Sequence, residues 1–356
     1  MKTYRIAVVG GDGIGPEVTA CAVEAMRAAC RIVGGFGLEF DEVAAGANLY
    51  RETGDALPPA SLETCRAADA ILLGACGLPD VRYPDGTEIA PQVALRSALD
   101  LYAGIRPARR IKGAPSPLAG DPAIDLVVVR ESTEGLFASR GAGIVLGDLV
   151  ASDTQVITRR GTERVVKAAF ELARARRRPT PRVTCVDKAN ILRSFAFFRK
   201  VFDSVAVKYP DVTADHLYVD AAAMALVRDP GQFDVLVTEN LLGDILSDLA
   251  AGLVGGLGVA PSADIGDRHA VFQPCHGTAP DLAGRNVANP VAAILSGAML
   301  LEYLADHRHD PAPHAAARRI ESAVELALAS PEGRTADLGG QASLREAAEA
   351  VVRRIS

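Results

Sequence analysis

Residues 8–17, VVGGDGIGPE, decide how the N-terminal part of this 356-residue chain folds. They begin within the apolar run of residues 6–9, and they lead into a segment with helical periodicity. A dinucleotide-binding turn has the pattern G-x-G-x-x-G, but here Pro16 stands where the third glycine belongs. Proline is favoured in the first turn of a helix. The segment therefore predicts a tight strand-to-helix turn, for which a phosphate site and a purely structural role are both open.

The composition is that of an ordinary globular protein, with 49% hydrophobic and 23% charged residues. The length allows two domains with a large buried core. A formal charge of -6 argues against a nucleic-acid-binding surface. The six cysteines form no C-x-x-C or zinc-finger spacing, and the sequence has neither a signal-peptide pattern nor an uninterrupted apolar span of membrane length. We therefore predict a cytoplasmic protein that binds neither membranes nor nucleic acid.

Strand-like runs alternate with helical patterns, which is typical of a mostly parallel α/β sheet. Ligands of such sheets bind beyond the carboxyl ends of the strands. Several predicted strands are followed by charged residues that are candidates for such a site or simply mark where the chain reaches water. These strands and charges are 126–129 with Arg130, 183–186 with Asp187 and Lys188, 217–219 with Asp220, and 235–237 with Glu239 and Asp244.

Residues 240–253 predict a helix that carries Asn240, Asp244 and Asp248 on one face and leucines on the other. Carboxylates at positions i and i+4 repel each other unless a cation lies between them. This pair therefore forms either a solvated helix face or an oxygen-ligand site for Mg²⁺ or Mn²⁺, with Asp220 as a candidate third ligand.

Three arginines are candidates for binding an anionic substrate. Arg96 lies in residues 92–102, which have helical periodicity, Arg106 follows shortly after, and Arg130 ends a predicted strand. Guanidinium groups bind carboxylates in bidentate fashion, so the three suit a substrate with two or more carboxylates, or else they form surface salt bridges.

A series of motifs runs in order over nearly the whole chain and resembles the isocitrate/isopropylmalate dehydrogenase family of decarboxylating dehydrogenases. The motifs are GGDGIGPE at 10–17, an LR and an RP pair within 95–107, RESTEGLF at 130–137, VDKANIL at 186–192, the Asp220 strand, ENLLGDILSDLAAGL at 239–253 and HGTAPDLAGRNVANP at 276–290. The resemblance implies oxidation of a 2-hydroxy acid at C2 with NAD and a divalent metal, followed by loss of the carboxylate on C3.

The resemblance also implies a fold. The family has an α/β structure of two domains that share one continuous mixed sheet flanked by helices, and it lacks the usual Rossmann domain. Residues 1–100 and 254–356 would form a cofactor-binding domain, and residues 101–253 would form a domain for substrate, metal and dimerisation, with an arm. Composition alone suggests two consecutive domains, so the discontinuous division comes from the family.

The family holds its dinucleotide with a loop that corresponds to residues 276–289, and residues 11–15 then build a neighbouring turn. Asp281 would accept the adenosine ribose hydroxyls and repel the 2′-phosphate of NADP, so NAD is the predicted cofactor. The residues implied in binding it are His276, Gly277, Thr278, Ala279, Pro280, Asp281, Asn289 and Asn190.

The family's site is built from two subunits, so the resemblance implies a homodimer with shared active sites. The three arginines would hold the carboxylates of a hydroxy di- or tricarboxylate. The metal, Mg²⁺ or Mn²⁺, would be bound by Asp244, Asp248 and Asp220 of the partner subunit. Lys188 of the partner subunit would act in removing the proton of the substrate hydroxyl.

One catalytic position departs from the family. Phe137 stands where the family has a tyrosine thought to protonate the enolate carbon. Tyr102, Tyr83 or a water molecule would have to replace it, or decarboxylation is slow. A non-catalytic regulatory subunit is the alternative, but the arginines, Lys188 and the three aspartates are all retained.

The resemblance also implies that the substituent on substrate C3 would meet Gln92, Val93 and Ile191. Val93 and Ile191 favour a modest alkyl group, whereas Gln92 would accept a polar one. The sequence therefore predicts a 3-isopropylmalate-like substrate, with tartrate, D-malate, isocitrate or homoisocitrate as the alternatives.

Overall fold

The structure is a computed structural model that describes residues 2–120 and 122–355. Its strands are β1 (Lys2–Gly11), β2 (Phe36–Glu42), β3 (Ala70–Ala75), β4 (Ala103–Arg109), β5 (Asp125–Glu131), β6 (Ile144–Leu146), β7 (Val150–Ser152), β8 (Arg182–Asp187), β9 (Thr213–Tyr218), β10 (Val235–Thr238), β11 (Pro261–Ile265) and β12 (Ala270–Pro274).

Helices cover this framework, and none of those described has the length and apolar content to cross a membrane. They are α1 (Gly15–Val33), α2 (Ala47–Thr53), α3 (Pro59–Ala67), α4 (Pro91–Ala98), α5 (Arg159–Ala175), α6 (Arg193–Ala206), α7 (Val219–Arg228), α8 (Asn240–Val254), α9 (Val291–Arg308), α10 (Pro311–Leu328) and α11 (Leu344–Ile355).

Ten strands form one sheet in the order β2-β1-β3-β12-β11-β4-β5-β10-β8-β9. The pairs β12–β11, β11–β4 and β4–β5 are antiparallel, and the remaining neighbours are parallel. The predicted continuous mixed sheet is therefore confirmed. Strands β5, β10, β8 and β9 run in the same direction, so their carboxyl ends lie along one edge, where the sequence predicted the charged residues to be.

The strand order supports the discontinuous division of the chain. Strands β2 to β11 in that order come from residues 1–100 and 254–356, and strands β4 to β9 come from residues 101–253. One large core packs α1, α9 and α10 against the first set, although Ile111 and Ala114 also join it. Separate cores surround the second set. We keep the two-domain division as a proposal; residues 1, 121 and 356 lie outside the described part of it.

Residues 11–15 form the predicted strand-to-helix turn, with Pro16 in the first turn of α1. Gly13 has φ 57°, and a Cβ there would lie 2.1 Å from the carbonyl oxygen of Thr278. The N–H of Ile14 donates to that same oxygen at 2.8 Å. Only glycine fits this close approach, so the turn supports the loop predicted to bind NAD.

Two boundaries differ from the sequence predictions. The helix predicted over 92–102 ends at Ala98, and Asp100 takes a left-handed conformation with φ 52° that interrupts the helical path. Val219, predicted to end a strand, is the first residue of α7. Asp220 therefore lies in the first turn of a helix rather than directly after a strand.

Candidate active site

A cavity of about 830 Å³ is lined by residues from both halves of the sheet. Its walls come from α4, the end of β5, the 3-10 helix Leu136–Ser139, the start of α8 and the segment after β12. The predicted site residues that line it are Gln92, Val93, Arg96, Arg130, Phe137, Asp244, His276 and Gly277. The structure thus brings predicted substrate, metal and cofactor residues into one cavity.

Arg130 is the penultimate residue of β5 and is held by the first residue of α8. Its Nε and Nη2 donate to Oδ1 of Asn240 at 2.9 and 2.6 Å, and its Nη1 forms an ion pair with Asp244. Asn240 is fixed in turn because its Nδ2 donates to the carbonyl of Glu134 at 2.8 Å. The guanidinium also lies 5.3 Å from the centre of the Phe137 ring. Four contacts therefore set the position of one charged group at the cavity wall.

The electrostatics of Arg130 reflect its burial. Burial and the repulsion from Arg96 and Arg106 lower its pKa to about 10, although the attraction of Asp244 opposes them. Arg130 still carries its positive charge at neutral pH. It lines the cavity, so it is available to bind a carboxylate there.

Arg96 and Arg106 are joined by a carboxylate that the sequence analysis missed. Asp264 lies in β11 and is almost fully buried; its Oδ2 accepts from Nε of Arg96 at 2.9 Å, and its Oδ1 accepts from Nη2 of Arg106 at 3.0 Å. Burial would raise the pKa of Asp264, but Arg106, Arg96 and Arg130 outweigh it and hold the pKa at about 2. An acidic residue inside an apolar strand was the signal that could have revealed it.

Arg106 lies behind the cavity rather than on its wall. Its side chain is buried, and its Nη1 donates to the carbonyl of Ala263 at 2.8 Å. Its other terminal nitrogen is engaged by Asp264. Direct contact between Arg106 and a substrate stays a prediction, whereas Arg96 and Arg130 reach the cavity in this structure.

The carboxylates on α8 fit a cation but do not surround one alone. Burial and the charge of Asp244 raise the pKa of Asp248, which is the repulsion that a bound divalent metal would relieve. Within the described residues, no group of three histidine, cysteine, aspartate or glutamate side chains is arranged to hold a metal ion. Asp244 and Asp248 are therefore candidates for two of the predicted ligands, and Asp220 of the partner subunit as the third stays a prediction.

Lys188 and Asp220 lie together but outside the cavity. Lys188 Nζ is 2.5 Å from Asp220 Oδ1, and this hydrogen bond lowers the pKa of the carboxyl. Asn190 and Ile191, in the turn that follows Lys188, are exposed. These four predicted residues therefore form a second surface, separate from the cavity of their own chain.

The loop predicted to hold NAD offers an unused polar atom and open space. His276 Nε2 is buried without a hydrogen-bond partner, and burial lowers the pKa of this ring. A Cβ on Gly277 would meet nothing within 4 Å, so the cavity beside it has room for a ligand. Both features fit a dinucleotide. Ala279 leads into the short 3-10 helix Pro280–Leu282, which contains Asp281, whose side chain is exposed.

Asn289, predicted to lie by the adenine, is buried and already engaged. Its Nδ2 donates to Asp337 at 2.9 Å, and its Oδ1 accepts from the N–H of Val291 at 3.0 Å. The side chain shapes the loop in this structure. A direct contact with adenine stays a prediction.

Neither tyrosine considered as a replacement for the missing acid at Phe137 lines the cavity. Tyr102 donates to Asp267 at 3.0 Å, and burial together with that carboxylate raises its pKa to about 12. The Tyr83 ring packs edge-on against Tyr50. The structure therefore gives neither tyrosine a position on the cavity wall, and the source of the proton stays open among a tyrosine, a water molecule and a slow decarboxylation step.

Several known proteins are similar to this chain in sequence and in structure. Residues 5–351 match the family model described as isocitrate/isopropylmalate dehydrogenase. The 3-isopropylmalate/3-methylmalate dehydrogenase of Methanocaldococcus jannaschii is 43% identical over 355 residues, 99% of each chain, and the 3-isopropylmalate dehydrogenase of Moorella thermoacetica is 44% identical over 92% of this chain and 91% of its own. The crystal structure of isocitrate dehydrogenase from Methylococcus capsulatus is 40% identical, with a TM-score of 0.88 over 99% of both chains. The chain therefore belongs to the isocitrate/isopropylmalate dehydrogenase family and is a decarboxylating hydroxy-acid dehydrogenase.

Proposed function

We propose that this enzyme oxidises and decarboxylates a malate with a small alkyl group on C3, of the 3-isopropylmalate type, using NAD and Mg²⁺ or Mn²⁺. The observation that supports the proposal is that Arg96, Arg130 and Asp244 line the same cavity. The apolar side chains of Val93 and Leu241 line that cavity as well. An alkyl substituent also agrees with the name of the Methanocaldococcus jannaschii relative.

The chain's own residues account for binding and orientation. Arg96 and Arg130 would each hold one substrate carboxylate in bidentate fashion, which fixes C2 and C3 in the cavity. Asp244 and Asp248 would hold the metal, which when bound lowers the pKa of the substrate hydroxyl and stabilises negative charge on the enolate. Open space at Gly277 would admit the nicotinamide that accepts the hydride. Lys188 of the partner subunit would move the hydroxyl proton.

The proposal includes a homodimer with shared sites. On α7 and α8, Met224, Val227 and Ile245 are 56, 46 and 58% exposed, and the β6–β7 hairpin exposes Leu149 by 85%. Helices α7 and α8 pack against each other, and exposed apolar side chains on neighbouring elements are usual at interfaces. A two-stranded hairpin is also marginal by itself, so it needs a surface to pack on. We further propose a cytoplasmic location, which the six free thiols support.

A second candidate is a substrate with a polar C3 substituent. Oε1 of Gln92 is buried without a hydrogen-bond partner beside the cavity, and a hydroxyl on the substrate would supply one. The Methylococcus capsulatus neighbour is named an isocitrate dehydrogenase. Tartrate carries such a hydroxyl on C3 and so fits Gln92, and isocitrate, homoisocitrate and D-malate complete the alternative set.

A turnover screen tests the proposed activity. Purified protein with NAD⁺ and Mn²⁺ should reduce NAD⁺ and release CO₂ fastest with 3-isopropylmalate or 3-methylmalate, and excess chelator should abolish turnover until Mg²⁺ or Mn²⁺ is added. Higher kcat/KM with an alternative substrate would replace the assignment. A complete lack of turnover across the panel would favour a regulatory subunit.

Subunit mixing tests the shared site. Lys188→Met and Asp244→Asn variants should each be inactive as pure dimers. If each site takes Lys188 from one subunit and Asp244 from the other, mixed dimers contain one intact site, and random mixing restores about a quarter of wild-type activity. Mixtures that stay inactive despite proven subunit exchange would contradict this arrangement.

A further inference from the structure

Asp264 is a buried carboxylate at the back of the active-site cavity. It lies within β11, its side chain is 1% exposed, and both of its oxygens accept from arginines. Ser132 Oγ lies a further 3.3 Å from Oδ1, and Gln273 Nε2 lies 3.5 Å from Oδ2. A carboxylate with this many fixed donors holds its neighbours in one geometry.

The contact with Arg96 uses only one edge of the guanidinium. Asp264 accepts from Nε, and neither Nη nitrogen of Arg96 hydrogen-bonds to a described residue. Arg96 lines the cavity and its side chain is 12% exposed. The two Nη groups are therefore available to bind a carboxylate in the cavity, because Asp264 holds the guanidinium by its Nε behind the cavity wall.

Asp264 also changes the charge that a substrate meets. Arg96, Arg106 and Arg130 carry three positive charges in this buried cluster, and Asp264 cancels one of them. Two positive charges remain to balance two carboxylates. Asp244, which pairs with Arg130, is half exposed and is assigned to the metal.

Among the described residues that line the cavity, no further buried cation is left to pair with a third carboxylate. The other cations that line the cavity, Arg82 and Arg140, are exposed. Arg82 is also paired with Glu88 at 3.4 Å. Water and salt screen such exposed charges, so they compensate a third carboxylate poorly.

We propose that Asp264 is a positioning and specificity residue, which orients Arg96 through its Nε and removes one positive charge, so that the site selects dicarboxylates with an uncharged C3 substituent over tricarboxylates. This inference rests on the proposed function only in taking the cavity as the carboxylate-binding site. It explains how one buried side chain, which need not touch the substrate, sets the charge of the substrate that fits.

2-Methylsuccinate and tricarballylate are a matched pair of unreactive probes, because both carry the two vicinal carboxylates of a 3-substituted malate and they differ only by the carboxylate at the end of the substituent. Calorimetric titration of the wild-type protein with Mg²⁺ present should give at least about tenfold tighter binding of 2-methylsuccinate. In Asp264→Asn the ratio of the two affinities should shift toward tricarballylate by about tenfold, because removing one negative charge weakens the repulsion of the extra carboxylate by about 1.4 kcal/mol.

Ser262→Ala is the control, since Ser262 is buried in the same strand and donates to the carbonyl of Gln273 rather than contacting the arginines. It should leave the ratio unchanged. An Asp264→Asn variant that weakens both probes by one common factor would reduce Asp264 to a structural role and overturn the proposal. Equal affinities for both probes in the wild-type protein would overturn it too, and that measurement needs no variant.

Measurements of turnover distinguish a failure of this proposal from a failure of the proposed function. With an active enzyme, kcat/KM for isocitrate relative to 3-isopropylmalate should rise about tenfold in Asp264→Asn, whereas a loss of general integrity lowers both equally. If no malate is turned over, the proposed function fails but the ratio of probe affinities still tests Asp264.

Discussion

Replacing Asn240 tests how the active-site arginine is held. In Asn240→Ala, Nε and Nη2 of Arg130 lose their common acceptor, which now lies 2.9 and 2.6 Å away. Because Arg130 is 4% exposed, bulk water cannot fully replace that acceptor. A hydrogen bond to a charged group contributes about 1.5–3 kcal/mol, so losing two, with partial hydration, should lower the free energy of unfolding by about 2–4 kcal/mol.

Activity should fall along with stability, because the guanidinium of Arg130 without its anchor is no longer oriented to bind a substrate carboxylate. We expect kcat/KM to drop about a hundredfold, which corresponds to about 2.7 kcal/mol of lost transition-state stabilisation. Urea unfolding monitored by circular dichroism and steady-state kinetics with the best malate from the substrate screen measure the two effects.

Two variants serve as controls. Ser247→Ala lies in the same helix, where its buried hydroxyl donates only to the carbonyl of Asp244, and it should change kcat/KM less than about threefold. Asn240→Asp keeps an acceptor for Arg130 and should retain more activity than Asn240→Ala. If Asn240→Ala behaves like Ser247→Ala in both assays, the anchoring of Arg130 by Asn240 is refuted.

Three further predictions concern the proton donor, the cofactor and the response to acid. Phe137→Tyr should raise the rate of decarboxylated product formation by about 10²-fold or more, since a positioned general acid contributes roughly 10²- to 10⁴-fold. Product analysis in stopped assays measures this rate. An unchanged rate would mean that another group already supplies the proton. The enzyme should prefer NAD⁺ to NADP⁺. Asp281→Lys should reduce the ratio of kcat/KM for NAD⁺ to kcat/KM for NADP⁺ at least about tenfold, because the 2′-phosphate of NADP⁺ would then meet a cation. Equal kcat/KM values for both cofactors in the wild type would contradict the role of Asp281. The pKa of Asp264 is held at about 2 in the folded state, below the value of about 3.9 for an unfolded aspartate, so its contribution is present above about pH 4 and is lost as the pH falls toward 2. Asp264→Asn should therefore lose less stability than the wild type between pH 4 and 2 in urea titrations, and parallel acid curves would count against the low pKa.

Local patterns in the sequence were sufficient for several elements that build the site. The helix predicted over 240–253 is α8, extended by one residue, because an apolar face with a period of 3.6 residues is a local property. The turn at 11–15 was equally readable, since glycines and a proline at a helix start leave few alternatives. The motifs also identified the family, which supplied the mixed sheet and the discontinuous division.

The tertiary structure alone decided what anchors the arginines. Asp264 and its partner Arg96 are 168 residues apart, and Asn240 and Arg130 are 110 apart, so no periodicity links them. Their contacts exist because β11, β4 and β5 are neighbours in the sheet and α8 packs on its edge, an arrangement that only folding creates. For the same reason Arg106, one of three equivalent arginines in the sequence, lies behind the cavity. The sequence by itself identified most of the charged groups of the site but not Asp264, and the packing of distant strands determined which of them line the cavity and which hold the others in place.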